Sequence, residues 1–175
     1  MDGGTAAVIG AAIGALGGMS GGLISSLGQR RQVRAEHSRW RDDTRLQAYT
    51  DFIAAGKQLS AAQWRLADSL WDTTSSPSEW QDRFVVVHDA WAVFSTAAAA
   101  VAVAGPKSAA ESADTFRTAM LNVERAVMTW LNKARDTGHG RLDECDQAFQ
   151  SAMSAKRQPD REFQATARAA LETEA

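Results

Sequence analysis

The pattern of hydrophobic and polar positions begins with an uncharged stretch from Thr5 to Gly28, in which glycine, alanine and serine separate a few larger apolar residues. At about 1.5 Å rise per residue, a helix of this length crosses a hydrocarbon core of ~30 Å. Backbone groups in lipid must pair within the segment, which favours a helix despite the glycines. The pattern predicts a Gly-rich transmembrane anchor over residues 1–28. The alternative is a flexible Gly/Ala leader on a soluble protein.

The glycines of this stretch are regularly spaced, since Gly10, Gly14, Gly18 and Gly22 recur every four residues. A row of small residues on one face lets a second helix backbone approach closely, which is how helices associate in membranes. We therefore expect the row to mediate helix association and the protein to form a homo-oligomer.

Helical spacing of apolar residues continues after the anchor. Residues 29–72 read as one long helix, and two further helices follow, each with apolar positions at steps of 4, 3, 4 and 3. We call each such row of apolar positions a seam. The first seam comprises Trp80, Phe84, Val87, Trp91 and Phe94, and the second comprises Phe116, Met120, Val123, Val127 and Trp130. Two such seams joined by the short turn Gly105-Pro106 predict antiparallel neighbours in a left-handed bundle.

The C-terminal third predicts two more helices. The first follows the turn Gly138-His139-Gly140, and the last follows Gln158-Pro159 and is only weakly apolar. The chain is thus predicted to be all-α, with the transmembrane helix continuing into a four- or five-helix antiparallel bundle. We expect the bundle over residues 29–157 and a weakly packed C-terminal helix or tail over residues 158–175.

Charge predicts the orientation of the anchor. Only Asp2 precedes it, whereas a basic run follows it: Arg30, Arg31, Arg34, Arg39 and Arg41. Basic residues tend to stay on the cytoplasmic side. We therefore expect a single-pass protein of the cell membrane, with the N-terminus outside and the C-terminal domain cytoplasmic. The five arginines can also bind anionic head groups at the membrane surface.

Composition limits the classes of function. The formal net charge is −2, so the basic excess is local to the arginine run and does not favour nucleic acid as a partner. Cys145 is the only cysteine, which suits a reducing compartment.

The candidate groups for chemistry are scattered along the chain. His37, His88 and His139 have no histidine partner at helical spacing, and no Glu-x-x-His motif accompanies the carboxylates. We therefore expect no catalytic residue, no metal site and no cofactor. Six tryptophans are many for this length, and Trp64 and Trp71, seven residues apart, should lie on the inward face of their helix. A tryptophan-lined ligand pocket is an alternative.

These features together favour a non-enzymatic, membrane-anchored helical interaction module that self-associates through the glycine row. Its partners would be the lipid bilayer, further copies of the chain and a protein that the sequence does not identify. One alternative is a membrane-perturbing small pore or holin-type protein, and another is a ligand-binding helical bundle.

The run from Trp40 to Phe52, after a Gly/Ala anchor and an Arg-rich juxtamembrane helix, resembles uncharacterised actinobacterial single-pass membrane proteins. The resemblance covers roughly residues 5–60. It implies a helical, membrane-attached protein and brings no activity and no catalytic residue with it.

Overall fold

The structure, a computed structural model, describes residues 39–172. Five helices account for most of this range: α1 over residues 39–71, α2 over Pro77–Ala104, α3 over Lys107–Thr137, α4 over Asp143–Ala155 and α5 over Arg157–Glu172. The all-α prediction is confirmed for the described residues, within which no strand occurs. The chain from Thr44 onward forms one compact unit. The predicted anchor over residues 1–28 lies outside the described residues.

Local signals explain where α2 begins and ends. The Ser76 hydroxyl accepts a hydrogen bond from the Glu79 backbone N–H at 3.3 Å, and Pro77 occupies the first helical turn, where its missing N–H costs nothing. At the other end the N–H of Gly105 donates to the carbonyl of Val101 at 2.9 Å before Pro106 starts the turn into α3. The predicted turn between the two apolar seams is thus only two residues long.

Contacts along α1 define the topology. The Arg45 Nε donates to the carbonyl of Ala104 at 3.0 Å near one end of α1, and the Trp80 indole donates to the carbonyl of Ser69 at 2.9 Å near the other. Helices α1 and α2 are therefore antiparallel. The Gln63 amide of α1 donates to the Glu124 carboxylate of α3 at 3.0 Å. Because Ser60 also lies within 3.8 Å of the Met120 sulfur, α1 and α3 run parallel.

The bundle has four helical positions, which we call arms. Helices α1, α2 and α3 are the first three, and α4 and α5 together form the fourth. Phe149 of α4 packs edge-on against Trp64 at 5.0 Å, and Phe163 of α5 packs edge-on against Phe52 at 4.8 Å. As the chain passes from α4 to α5, it therefore moves back along α1 towards its N-terminal end. The fold is an up-and-down four-helix bundle whose last arm has a break.

That break lies at Lys156, which keeps a helical backbone conformation between the two helices. The sequence pattern predicts the last helix after Pro159, but α5 begins at Arg157 and contains this proline in its first turn. Proline is tolerated there because the first N–H groups of a helix have no partner within it. Phe163 is fully buried, so the bundle includes α5, which the sequence pattern assigns to a weakly packed terminal segment.

One phenylalanine from each arm meets at the centre of the core. Phe52 stacks on Phe94 with a centroid distance of 4.8 Å and meets Phe116 edge-on at 5.6 Å, while Phe163 closes the group. Gly56 lies beside this group, where an added Cβ would come within 3.0 Å of the Phe116 ring. Gly56 therefore provides close packing between α1 and the phenylalanine rings.

Candidate functional site

The site residues predicted from the sequence lie at or beyond the edge of the described residues. The glycine row and three of the arginines lie outside the described residues: Gly10, Gly14, Gly18, Gly22, Arg30, Arg31 and Arg34. Arg39 and Arg41 are described, and both are exposed. The helix-association and membrane-surface predictions therefore stay predictions.

A cavity of about 400 Å³ opens at the end of the bundle where α1 finishes. Three helices line it with aromatic and acidic side chains, and we call it the tryptophan cleft. Its lining residues are Trp64, Ala67, Asp68, Trp71, Asp72, Trp130, Asp146 and Gln150.

Helical spacing explains how α1 supplies half of the lining. Trp64 and Trp71 are seven residues apart, so they lie two turns apart on one face. Asp68 comes four residues after Trp64 and three before Trp71, which places its carboxylate between the two indoles. From α4 come Asp146 and Gln150, whose side chains are joined by a hydrogen bond of 3.3 Å.

The floor of the tryptophan cleft is fixed by Trp130 of α3, which is 1% exposed. Its indole Nε1 donates to the carbonyl of Gly140 at 2.7 Å, and its ring meets Trp71 nearly edge-on at 6.3 Å. Trp64 is held at its other side by Phe149, also edge-on, at 5.0 Å. Interlocked aromatic rings keep the walls in place, whereas Trp71, at 36% exposed, remains accessible from solvent.

The lining carries three carboxylates and no lysine, arginine or histidine, so its formal charge is −3. One of the three is held as an anion by the chain itself: the backbone N–H and the hydroxyl of Thr74 both donate to Oδ1 of Asp72, at 2.9 and 2.8 Å. These hydrogen bonds lower the pKa of Asp72. The cleft therefore presents negative charge beside indole rings.

Trp71 already contacts a cation within the chain. The guanidinium carbon of Arg141 lies 5.3 Å from the centroid of the Trp71 ring. Arg141 lines a second, smaller cavity of about 140 Å³, which shares Trp71 and Asp72 with the tryptophan cleft. Arg141 does not line the cleft itself, so the larger cavity keeps its negative lining.

Apart from the tryptophan cleft, four polar side chains lie inside the bundle between α1, α3 and the start of α5. Gln63 is fully buried and bonded to Glu124, and the Lys156 ammonium donates to the Ser60 hydroxyl at 2.6 Å. Burial raises the pKa of Glu124 and lowers the pKa of Lys156, because both side chains are partly removed from water. Neither side chain lines the tryptophan cleft.

The outer face of α2 exposes four valines. Val85, Val86, Val93 and Val103, which we call the valine stripe, are 47, 47, 55 and 88% exposed. Among the described helices α2 is also the one that is long and apolar enough to cross a membrane, with only 22% of its most apolar window buried, although core helices of soluble proteins meet the same criterion. On the inward face Trp80, Val87 and Phe94 are buried as predicted, whereas Phe84 and Trp91 are only half-buried.

Groups suited to metal binding do not converge within residues 39–172, where no set of three or more His, Cys, Asp and Glu side chains is placed to hold an ion. Cys145 is buried against the core, and His139 lies on the turn before α4. His88 lies on α2, and its ring is tilted against Phe84 at 6.3 Å.

Sequence reasoning found part of the tryptophan cleft. Helical spacing predicts Trp64 and Trp71 on the inward face of α1, where Trp71 is in fact 36% exposed, and it does not single out Asp146. The signal that joins them is the spacing Trp64, Asp68, Trp71 and Asp72, which alternates rings and carboxylates on one side of α1. Nothing in the sequence indicates that α4 brings Asp146 to the same place.

Compared with known proteins, the chain matches no family model, no curated protein and no solved structure.

Proposed function

We propose that the chain is a non-enzymatic, membrane-anchored helical interaction module that self-associates, with residues 1–28 as the anchor and the bundle on the cytoplasmic side. The valine stripe of α2 carries this proposal. The inward face of α2 already fills the core, yet its outer face exposes four valines, and exposed apolar patches of this kind mark interaction surfaces.

The occupant we propose for the stripe is the stripe of a second copy. A bilayer is a poor match, because the exposed Asp89 lies between Val86 and Val93 at helical spacing and charge is costly in lipid. Two copies associated through the glycine row would also be tethered near each other, and tethering raises the effective concentration of one bundle at the next. A modest apolar contact then suffices to hold the pair.

Membrane anchoring is tested by cell fractionation. We expect the 175-residue chain to resist carbonate extraction, and a chain starting at Gln29 to be soluble and helical. A reporter fused to the C-terminus should be active only if it is of the cytoplasmic kind. Recovery of the 175-residue chain in the soluble fraction without detergent contradicts the anchor.

Self-association is tested with two pairs of substitutions in a two-hybrid assay within the membrane. Gly14→Ile with Gly18→Ile should abolish the signal while leaving the chain in the membrane, because bulky side chains prevent close approach but favour insertion. Val93→Glu with Val103→Glu should reduce it, since both positions are exposed in a single copy. Leu46→Glu is the control, because it makes the same kind of change at an exposed apolar residue of another helix, α1.

The pore or holin-type alternative makes a different prediction in the same experiments. A pore former should permeabilise cells when residues 1–28 are expressed alone, whereas an anchored module should be harmless in that form. Leakage caused by the anchor alone would therefore favour the pore alternative and contradict the interaction module.

A second candidate function is a ligand-binding bundle, which the tryptophan cleft favours. Its volume of about 400 Å³ is within the range of small-molecule sites, and it combines aromatic walls with a few placed polar groups. Binding in the cleft and anchoring at the membrane are compatible, so this candidate does not compete with the first.

A further inference from the structure

We propose that the tryptophan cleft binds a small organic cation of the alkylated ammonium class, such as a trimethylammonium group. The proposal depends on the second candidate function, that the cleft is a ligand site, and it names the chemistry of the ligand. The cation is either a free metabolite or the head group of a larger molecule, and both carry the same charged group.

The walls provide the first argument. Indole rings attract cations more strongly than other aromatic side chains do, and several rings around one cavity form the usual cage for quaternary ammonium groups. Trp64, Trp71 and Trp130 come from two helices and are fixed by edge-on or tilted contacts with each other or with Phe149. A rigid cage loses little conformational entropy when a ligand enters.

The charge of the lining gives the second argument. Asp68 of α1, Asp72 just after α1 and Asp146 of α4 line the cleft without converging on one point. Dispersed carboxylates suit a cation whose charge is spread over methyl groups better than they suit a compact metal ion, which needs several oxygens at about 2 to 2.6 Å. An anionic ligand is repelled by a lining of formal charge −3.

The chain itself provides the third argument, through Arg141. Its guanidinium lies 5.3 Å from the Trp71 centroid, within the range of a cation–π contact, next to Asp72 on the lining of the smaller cavity. Trp71 therefore already contacts one organic cation, on a lining that it shares with Asp72. The tryptophan cleft contains the same two residues and two further indoles, but no arginine.

The size of the cavity selects small ligands. At about 400 Å³ it is near the lower end of the usual range for ligand sites, and it is open to solvent on one side. A cavity of this volume can hold a trimethylammonium group while the rest of the molecule extends through the open side. The cleft thus accommodates both a free cation and a cation at the end of a longer chain.

The test titrates the purified 175-residue chain, in maltoside micelles where detergent is needed, with choline and with its uncharged carbon isostere 3,3-dimethylbutan-1-ol. Calorimetry measures affinity, and proton NMR follows the methyl resonance, which shifts upfield beside indole rings. We expect choline to bind and the isostere to bind at least tenfold more weakly. A third arm, glycerophosphocholine, distinguishes a lipid head group from a free cation, and binding of either supports the proposal.

Two variants locate the site. Trp71→Leu and Asp68→Asn should each weaken choline binding, the first by roughly tenfold through the lost cation–π contact. Both residues are exposed, so the fold should persist, and circular dichroism checks this. Trp91→Leu and Asp89→Asn are matched controls on α2, outside the cleft, and should leave the affinity unchanged.

The outcomes distinguish the existence of a ligand site from its selectivity for cations. If the isostere binds as tightly as choline, and Trp71→Leu weakens both, the cleft is a ligand site but its selectivity for cations is refuted. If neither probe binds, the cation inference fails. If choline binds but the cleft variants behave like the α2 controls, the cation is bound elsewhere and the assignment to the cleft is wrong.

Discussion

Gln63 of α1 donates a hydrogen bond from Nε2 to Oε2 of Glu124 of α3 at 3.0 Å, across the interface of two parallel helices. Gln63 is fully buried, and within the described residues its Oε1 has no hydrogen-bond partner. Burial raises the pKa of Glu124, while the bond from Gln63 and the charge of His88 partly offset that rise. The interface thus holds a carboxyl group that is more easily protonated in the folded chain than in the unfolded one.

This relationship predicts how stability changes with pH. Because the folded pKa of Glu124 is raised, its contribution to stability is fully present below the unfolded pKa of about 4.5 and is lost as pH rises through the folded value. Glu124→Gln removes the charge and keeps a carbonyl that can accept from Gln63. We expect it to increase the free energy of unfolding at pH 7 by up to ~1 kcal/mol, since the carboxyl is still partly solvated, and to have little effect at pH 4.

The measurement is urea unfolding of the parent and the variant at pH 4, 5.5 and 7. Glu111→Gln is the control, because Glu111 is exposed and forms only a long surface ion pair of 3.6 Å with Lys107. Lower stability of Glu124→Gln at pH 7 would mean that the ionised carboxylate stabilises the interface, contrary to this prediction.

The extent to which the sequence predicts burial differs between α2 and α3, and position in the bundle explains the difference. All five seam residues of α3 are buried, because α3 packs against α2, α4 and α5 and is bonded to α1 as well. On α2 the same spacing leaves Phe84 and Trp91 half-buried. Helical period identifies the inward face of a helix, but it does not report how many neighbours cover that face.

The tryptophan cleft shows a second limit of sequence reasoning. Trp64 and Trp71 follow from helical period, because both are on α1. Asp146 joins them only because the last arm runs back along α1, and no local pattern encodes a contact between residues so far apart in the chain. The sequence pattern also does not show that α5 belongs to the bundle. Its single buried aromatic residue, Phe163, gives only a weak apolar pattern in an otherwise polar segment.

Trp130 and Trp91, one tryptophan from each apolar seam, should differ in their effect on stability. Trp130→Ala removes a fully buried ring and the hydrogen bond to Gly140, so we expect a loss of ~3 to 5 kcal/mol. Trp91→Ala removes a half-buried ring and should lose clearly less. Thermal unfolding followed by circular dichroism compares them directly, and equal losses would contradict the difference in burial.

The packing of α5 is tested through Phe163. This side chain is fully buried and contacts Phe52 at 4.8 Å and Tyr49 at 6.0 Å between ring centroids. Phe163→Ala should therefore lower the free energy of unfolding by ~3 kcal/mol or more, as in other buried aromatic positions. Leu171→Ala, at a half-buried position nearer the end of α5, is the control and should lose less. A melting temperature unaffected by Phe163→Ala would show that α5 is detached from the bundle.

Gly138 and Gly140, two glycines of one turn, should respond differently to the same substitution. Gly138 has φ of 74°, and a Cβ placed there meets nothing within 4 Å, so Gly138→Ala should cost only the backbone strain of about 1 kcal/mol. A Cβ at Gly140 would lie 1.9 Å from the carbonyl oxygen of Leu70 and 2.8 Å from its carbon. Both are backbone atoms of α1, so the chain must move to make room.

Gly140→Ala should therefore cost well over ~2 kcal/mol, because overpacking against backbone cannot be relieved by a side-chain rotation. Since the Gly140 carbonyl also accepts the hydrogen bond from the Trp130 indole, the shift should disturb the floor of the tryptophan cleft. Thermal unfolding measures the first effect, and near-ultraviolet circular dichroism of the tryptophans measures the second. If Gly138→Ala and Gly140→Ala unfold at the same temperature with unchanged tryptophan spectra, Gly140 does not lie against Leu70, and Trp130 is not fixed by this turn.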